Sequence, residues 1–361
     1  MKEKLQAPTN LHDVTPAGLP QALGELASPP FRAGQIASWV HDRGVSSFEA
    51  MTNLPASLRD ALAARHTVAL PQIESTTPPG PDGSEKFLFR LSDGALIESV
   101  LMPMKDRTTL CLSSQAGCAV GCTFCVTGFF GAGRDLTAGE MTGQVHRIRE
   151  QREIPWTQMN VVFMGMGEPL LNLEGVLPAL EILYRNISPR RITISTSGIT
   201  PAIAELARLE RRPNLAVSIN APDQARREQI MPITRKHPLR ELVATLRAFP
   251  LEKGREITAE YVLLAGWNDS PDDAAALARL LTGLRVKVNA IPFNPDPNLP
   301  EWMRRPGDGA IDRFSAELVR RGVAVTVRRS KGDEIAAACG QLRGKTDRPR
   351  RRAESSDRRG A

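Results

Sequence analysis

Cys118, Cys122 and Cys125 fall within eight consecutive positions of the stretch "GCAVGCTFCVTG", in a chain that has only five cysteines. Iron–sulfur clusters are held chiefly by cysteine thiolates. Three thiolates from one compact loop, spaced C-x3-C-x2-C, suit three irons of a four-iron cluster. The fourth iron then stays open to a small molecule. Zinc is the competing reading, but a structural zinc site takes four protein ligands, often from paired CxxC steps. Here the first gap is three residues and no second pair follows. His146 or Cys111 would have to complete such a site from a position without motif spacing. A third reading, three buried cysteines without metal, sits poorly with a loop of small residues.

Something must place that loop where a ligand can reach it. From about residue 108 short β-branched runs alternate with helical stretches. "TTLCLSS", "NVVFMG", "RITISTSG", "LAVSIN", "ITAEYVLL", "VKVNAIPFN" and "VAVTVRRS" read as strands; "EGVLPALEILYR" and "SPDDAAALARLLTGL" read as helices between them. The rhythm predicts an α/β fold, a parallel sheet with helices outside it, built as an open sheet or a partial barrel. In both, ligands gather at the carboxyl ends of the strands, and the cysteine loop follows the first of these strands. No GxGxxG follows a strand, which argues against a dinucleotide fold. Ahead of this region "KFLFRLSDGALIESVLMP" alternates about a Ser-Asp-Gly turn and reads as a β-hairpin. "LPQIESTTPPGPDGSEK" reads as a Pro/Gly-rich break. Up to about His66 the pattern is helical, with Ile36, Trp39 and Val40 on one side of one helix and Leu58, Leu62 and Ala63 on one side of another. The expected organisation is a helical accessory domain over 1–70, a hairpin and linker over 71–107, the barrel domain over 108–344 and a tail over 345–361.

Composition narrows the classes. Of 361 residues 41% are apolar but only 5% aromatic, so the core must be aliphatic. No apolar run reaches the ~18 residues of a membrane span, and the N-terminus has no apolar signal core. A cytoplasmic protein without a membrane partner is expected, and there cysteines serve as metal ligands or catalytic groups more than as structural disulfides. The formal charge is +7, and the segment from Arg343 to the end carries eight Lys/Arg against three Asp/Glu, five of those seven charges. That segment has too few apolar residues to bury a core. It reads either as a basic arm for phosphates or as a solvated tail.

The cysteine spacing, with Phe124 ahead of the last cysteine, resembles the radical S-adenosylmethionine (SAM) superfamily. The resemblance is closer still to its RlmN/Cfr branch of RNA methyltransferases, over roughly residues 30–344. "FRAGQIASWVHDRGVSSFEAMTNLP", "VVFMGMGEPLLN", "STSGI", "MPITRKHPL", "IPFNP" and "GDEIAAACGQL" carry it, in the family's order. The resemblance implies a partial (βα)6 radical SAM barrel with a small N-terminal helical domain and a β-hairpin extension. It implies a [4Fe–4S] cluster on Cys118, Cys122 and Cys125, with SAM chelating the open iron. It implies SAM contacts from Gly167, Glu168, Ser195, Ser218, Asn220 and Asn294.

The implied reaction methylates carbon 2 of an adenine in 23S rRNA, and in tRNA too, with two SAM per turnover. Cys339 takes a methyl group from one SAM. A 5′-deoxyadenosyl radical from a second SAM removes hydrogen from that S-methyl group, and the methylene radical adds to the base. Glu98 accepts the proton of the adenine carbon, and Cys111 forms the disulfide with Cys339 that releases the product. A flavodoxin or ferredoxin would supply electrons, and the chain would act as a monomer. On their own residues the readings are plainer: Cys111 as a small buried strand residue, Glu98 as a solvent-facing residue of an alternating strand, and the serines and Asn294 as ordinary strand-end polar groups. Two stretches depart from the family pattern: Asn220 stands where the family has His, and "GFFGAGRDLT" brings Phe129, Phe130 and Asp135 into a loop that normally resembles GxQGxxRNLT. Methylation at carbon 8 or of another RNA, and a non-catalytic iron–sulfur RNA-binding protein, are the alternative readings.

Overall fold

The described residues of the computed structural model are 8–328 and 340–342; Cys339 and the basic tail expected over 345–361 lie outside them. The chain begins with β1 (Thr9–Asn10), α1 (Leu19–Leu23), α2 (Phe31–Ala37), α3 (Ala56–Ala63) and β2 (His66–Thr67). α2 runs on through a wider turn over Ser38–Arg43 and stops at Gly44, whose φ of +67° suits a residue without a Cβ. Ile36 and Val40 from this stretch meet Leu11, Leu19, Met51 and Leu62 in a small core of their own. β1 and β2 pair in parallel, Thr9 opposite His66, so the two ends of this unit meet.

Three strands follow, β3 (Gln72–Thr76), β4 (Glu85–Arg90) and β5 (Leu96–Pro103), and then β6 (Thr108–Cys111). Beyond β6 come α4 (Ala138–Gln151), β7 (Met159–Phe163), α5 (Leu173–Leu183), β8 (Ile192–Thr196), α6 (Thr200–Arg208) and β9 (Asn214–Ser218). The rest are α7 (Gln224–Ile230), α8 (Leu239–Ala248), β10 (Ile257–Leu263), α9 (Pro271–Leu280), β11 (Val286–Pro292), α10 (Asp308–Arg320) and β12 (Ala324–Val327). Among the described residues β3 to β12 form one ten-stranded sheet in sequence order. Pairing is antiparallel from β3 to β6 and parallel from β6 to β12. Parallel neighbours require crossover connections, and the helices from α4 onward supply them. This is the α/β fold expected from the strand and helix rhythm, a mostly parallel sheet with an antiparallel extension. No helix among the described residues is long and apolar enough to cross a membrane.

The seven strands expected after residue 108 and the hairpin are all present. Two expectations fail. The Pro/Gly-rich break holds β3, an edge strand paired with β4 through an irregularity between Ile73 and Ser75. Most of its residues are exposed, so it carries no apolar alternation to betray it. β5 is not half-exposed, because six of its eight residues are buried. Ser99 points to α4, where its hydroxyl donates to Gln144 Oε1 at 2.6 Å, and its neighbours face the other way, into the sheet's concave side.

Period two divides the parallel strands into two faces. Val161 and Phe163, Ile192 and Ile194, Leu215 and Val217, Ile257 and Tyr261 all lie buried in the main core with the covering helices. Each such side chain contributes about 1.5–3 kcal/mol on burial. The alternate positions include the polar residues Thr193, Ser195, Ser218, Glu260 and Asn289, among apolar ones such as Val162, Ala216 and Val262. Glu260 stands in register with Ser218 on one flank and Asn289 on the other, and Asn289 Nδ2 donates to its carboxylate at 2.8 Å.

The N-terminal unit rests on α4 and α5. Asp42 is the hub: Arg185 pairs with its carboxylate at 2.8 Å, and its carbonyl accepts from Trp156 Nε1 at 3.1 Å and Arg149 at 3.2 Å. Asp13 accepts from the Gly139 N–H at the start of α4. Three buried histidines fill the seam, His12, His41 and His146. The His12 and His146 ring centres lie 5.9 Å apart, and Trp156 meets His146 edge-on.

Candidate active site

At the carboxyl ends of the parallel strands the concave face opens into a cleft of about 950 Å3, its mouth included, and Cys118, Cys122 and Cys125 all line it. The loop that carries them leaves β6, turns through Gly117 and Gly121 with positive φ, and returns at Asp135, which bridges to Gln115. A Cβ on Gly117 would lie 2.6 Å from the Gly131 carbonyl, so the two arms of the loop can close only over glycine. The Cys118 N–H donates to that carbonyl at 2.7 Å and the Thr123 N–H to Ile230 at the end of α7 at 3.0 Å. Val126 N–H donates to the Gly340 carbonyl at 2.7 Å, and Thr127 Oγ1 donates to the Leu342 carbonyl. The residue that follows Cys339 therefore forms part of the same wall.

Each cysteine keeps part of its surface open to the cleft, but the thiols themselves are enclosed by protein. Burial, and then the charge of Cys125, pushes the Cys118 thiol up to about 12; burial and the two neighbouring thiols push Cys122 well above its usual range. Three crowded thiolates repel one another and are unfavourable unless a strongly cationic group lies among them. This donor set suits the irons of a cluster, one soft thiolate to each. His146 is not available to complete a zinc site, because it is buried against His12 and Trp156 in the seam. Among the described residues no three His, Cys, Asp or Glu side chains are drawn together as ligands of one ion.

Another part of the lining is polar and tightly fixed. Glu168, buried at 4% exposure, accepts from the Ser197 N–H at 2.6 Å and the Leu170 N–H at 3.0 Å. Burial raises its pKa, against those hydrogen bonds. Its own N–H donates to Gln115, and Gln115 donates to Asp135 at 2.6 Å; the departure at Asp135 is thus tied to the wall. Gly167 has φ +100°, and a Cβ there would lie 2.6 Å from the Gln115 side chain. Ser195, Ser218 and Asn294 also face the cleft. The Ser197 hydroxyl lies beside the Glu168 carboxylate and helps to hold its pKa down. A buried carboxylate set among hydroxyls on a cleft wall fits the amino, carboxylate and hydroxyl groups of a ligand such as SAM.

Other expected residues lie elsewhere. Asn220 does not line the cleft. Its Oδ1 accepts from the Val262 N–H at 2.8 Å and its amide donates to Met231 sulfur, and its φ of +57° is one that asparagine tolerates better than most residues. It clasps β9 to β10 and steadies Met231, which does line the cleft. Glu98 is not solvent-facing. It is 3% exposed, and Lys86 Nζ lies 3.3 Å from its carboxylate. Cys111 is buried in β6, opposite Val100 of β5; Glu98, Val100 and Cys111 share the concave face by register.

Sequence reasoning passed over three residues. Glu260 lines the cleft and is 5% exposed, with its pKa raised by burial against the pull of Arg328. Ser197 lies between two residues already matched to motifs. Arg227 is fully buried; its guanidinium donates to the carbonyls of Ile219, Ser197 and Ser218 and to Thr234 Oγ1, at 2.6–3.1 Å. Burial lowers it to about 10, against the influence of Cys122. The available signal was Glu260's break in the apolar run of "ITAEYVLL".

The chain is similar to known proteins over nearly all its length. The radical SAM superfamily model matches residues 112–281, and the ribosomal RNA large subunit methyltransferase N-terminal domain model matches residues 9–68. The dual-specificity RNA methyltransferase RlmN of Anaeromyxobacter dehalogenans is 46% identical, over 96% of this chain and 97% of its own. That of Geobacter sulfurreducens is 47% identical, over 88% of this chain and 87% of its own. A solved radical SAM methyltransferase from Sphaerobacter thermophilus superposes with a TM-score of 0.86 at 45% identity, covering 93% of this chain and 99% of that one.

Proposed function

The chain belongs to the RlmN family of radical SAM RNA methyltransferases, and from that membership we propose that it methylates carbon 2 of an adenine in 23S rRNA, and of an adenine in tRNA, through a methyl group carried on Cys339. The observation that carries the reading is the cleft. Three cysteines, Glu168, three serines and the residue after Cys339 line it together.

Carbon 2 of adenine is electron-poor and does not attack a methyl sulfonium as a nucleophile. When bound, the [4Fe–4S] cluster and SAM supply the one-electron chemistry that such a carbon needs. Cys118, Cys122 and Cys125 hold the cluster. Glu168 accepts from the SAM ammonium, and glycine at 167 lets the backbone that carries it pack directly on Gln115. Ser195, Ser197, Ser218 and Asn294 offer hydrogen bonds to its remaining polar groups. Cys339 carries the methyl group, and its thiol must be deprotonated to take it. Glu98 accepts the proton of the target carbon, and that protonation gives up the ion pair with Lys86. Cys111 on the concave face serves as the resolving thiol. A flavodoxin or ferredoxin delivers the electron, and the protein works as a monomer in the cytoplasm.

The test is mass spectrometry of rRNA and tRNA nucleosides from a strain lacking the protein. Loss of 2-methyladenosine from both is expected. Loss of 8-methyladenosine, or no loss, would overturn the assignment.

A further inference from the structure

Aromatic side chains make up only 5% of the chain, yet several of them gather beside the cysteine loop. Phe124, Phe129, Phe130 and Trp267 pack, partly exposed, on the small apolar core behind the cysteine loop. Phe129 and Phe130 are the residues by which this loop departs from the family pattern. Trp302 completes the group from the loop after β11. It is 50% exposed, and its ring centre lies 6.2 Å from that of Trp267, at a 48° tilt.

The loop beneath Trp302 is firmly held. Its neighbour Met303 is 4% exposed and Leu299 is 8% exposed, both in that core. The Ala265 N–H donates to the Arg304 carbonyl at 2.8 Å. The backbone thus buries one apolar side chain and presents the next, larger one to solvent. Cations surround the two rings. Arg226 stands 5.8 Å over Trp267 and donates to its carbonyl, with its own charge balanced by Asp223 and Asp273. Arg304 and Arg305 follow Trp302, both exposed, against the single acid Glu301 between Pro300 and Pro306. Arg305 reaches Asn294 on the cleft wall at 3.5 Å, so the surface runs continuously from Trp302 to the cleft mouth.

A rigid flat ring backed by a second ring, with cations on its flank, is the chemistry that recognises an unpaired nucleobase and its phosphate. We propose that Trp302, supported by Trp267, is a stacking platform for an unpaired RNA base next to the one that enters the cleft, with Arg304 and Arg305 on the adjoining phosphates. The proposal rests on the RNA-methyltransferase reading above.

The test uses the full-length protein with its cluster and two probes: tRNA from a strain lacking the protein, and a short unpaired adenine-containing oligoribonucleotide. Binding is followed by anisotropy across a salt series. Trp302→Ala should weaken both probes about five- to a hundredfold with an unchanged salt slope, while iron content and melting temperature stay at wild-type values. Trp302→Phe should recover most of the affinity. Arg304→Ala/Arg305→Ala should instead flatten the salt slope by about one to two. Wild-type affinity in Trp302→Ala overturns the platform alone. A wild-type protein that binds neither probe overturns the RNA reading and the platform together. If Trp302→Ala keeps its RNA affinity but slows reduction by flavodoxin, the face docks a protein and the proposal is wrong.

Discussion

Acidification should loosen the N-terminal unit from the barrel before the barrel opens. His12, His41 and His146 are buried in the seam, and neither His41 ring nitrogen has a hydrogen-bond partner of good geometry. Burial holds His12 down to about 4 and His41 to about 3, with the His12 charge adding to the second; His146 is held well below its usual range. A base with a depressed folded pKa binds fewer protons in the folded state than in the unfolded state. The stability it allows is therefore full above its unfolded pKa of about 6.5 and is lost as the pH falls below that value. Near pH 5 the loss comes to about 2 kcal/mol for each histidine kept neutral, so about 6 kcal/mol for three, comparable with a whole small domain's stability. Asp13, raised by burial, opposes this, and Asp42, lowered mainly by Arg185 and Asn186 against its burial, adds to it only at lower pH. Hydrogen exchange read by mass spectrometry, corrected for intrinsic rates, should show residues 10–65 losing protection between about pH 7.5 and about pH 5 while β8 and β9 keep theirs. His41→Leu gives up only the contact with the Val14 backbone and should flatten the dependence by about a third. Equal protection of residues 10–65 at both pH values would refute the reasoning.

Replacing Cys118, Cys122 and Cys125 together with Ala should abolish iron and sulfide in anaerobically purified protein while the far-ultraviolet spectrum stays folded; retained iron would remove the loop from the centre. Gly167→Ala should weaken SAM binding by equilibrium dialysis roughly tenfold or more, since the new Cβ displaces Gln115 and with it the Glu168 backbone. Unchanged binding would mean that the wall yields at no cost. Cys339→Ala should abolish both methyl loading and RNA product. Cys111→Ala should instead trap RNA covalently on the protein, seen as a nuclease-sensitive shift on a denaturing gel, and no shift in an active background would remove Cys111 from product release.

The parallel strands were legible because β-branched runs separated by helical periods leave few alternatives, and the cysteine loop because three thiols at that spacing have few other uses. β3 was not, since an exposed edge strand carries no burial pattern. Glu260, Ser197 and Arg227 escaped for another reason. Each is a single polar residue whose meaning comes from partners far away in sequence, as Glu260 lies between Ser218 and Asn289 and Arg227 donates to the Ser197 carbonyl. Asn220 shows the converse. Its motif position drew it toward the ligand, but its left-handed backbone and the Val262 N–H claim the side chain. Glu98 looked half-exposed because alternation tells that neighbours face opposite ways, not that either way is water.

The two faces of the parallel strands also separate two kinds of change. Odd and even positions along one strand answer to different demands: Ile192 and Ile194 to the helices, Ser195 to the cleft. A substitution at Ser195 or Ser218 alters what the cleft accepts while the apolar layer behind it stays filled, and a substitution at Ile194 does the reverse. Alternate residues of a single five-residue strand can thus be retuned almost independently, one set for durability and one for the contacts the cleft offers a bound ligand. The barrel is therefore a scaffold on which those contacts can change in few steps, each tolerated by the fold.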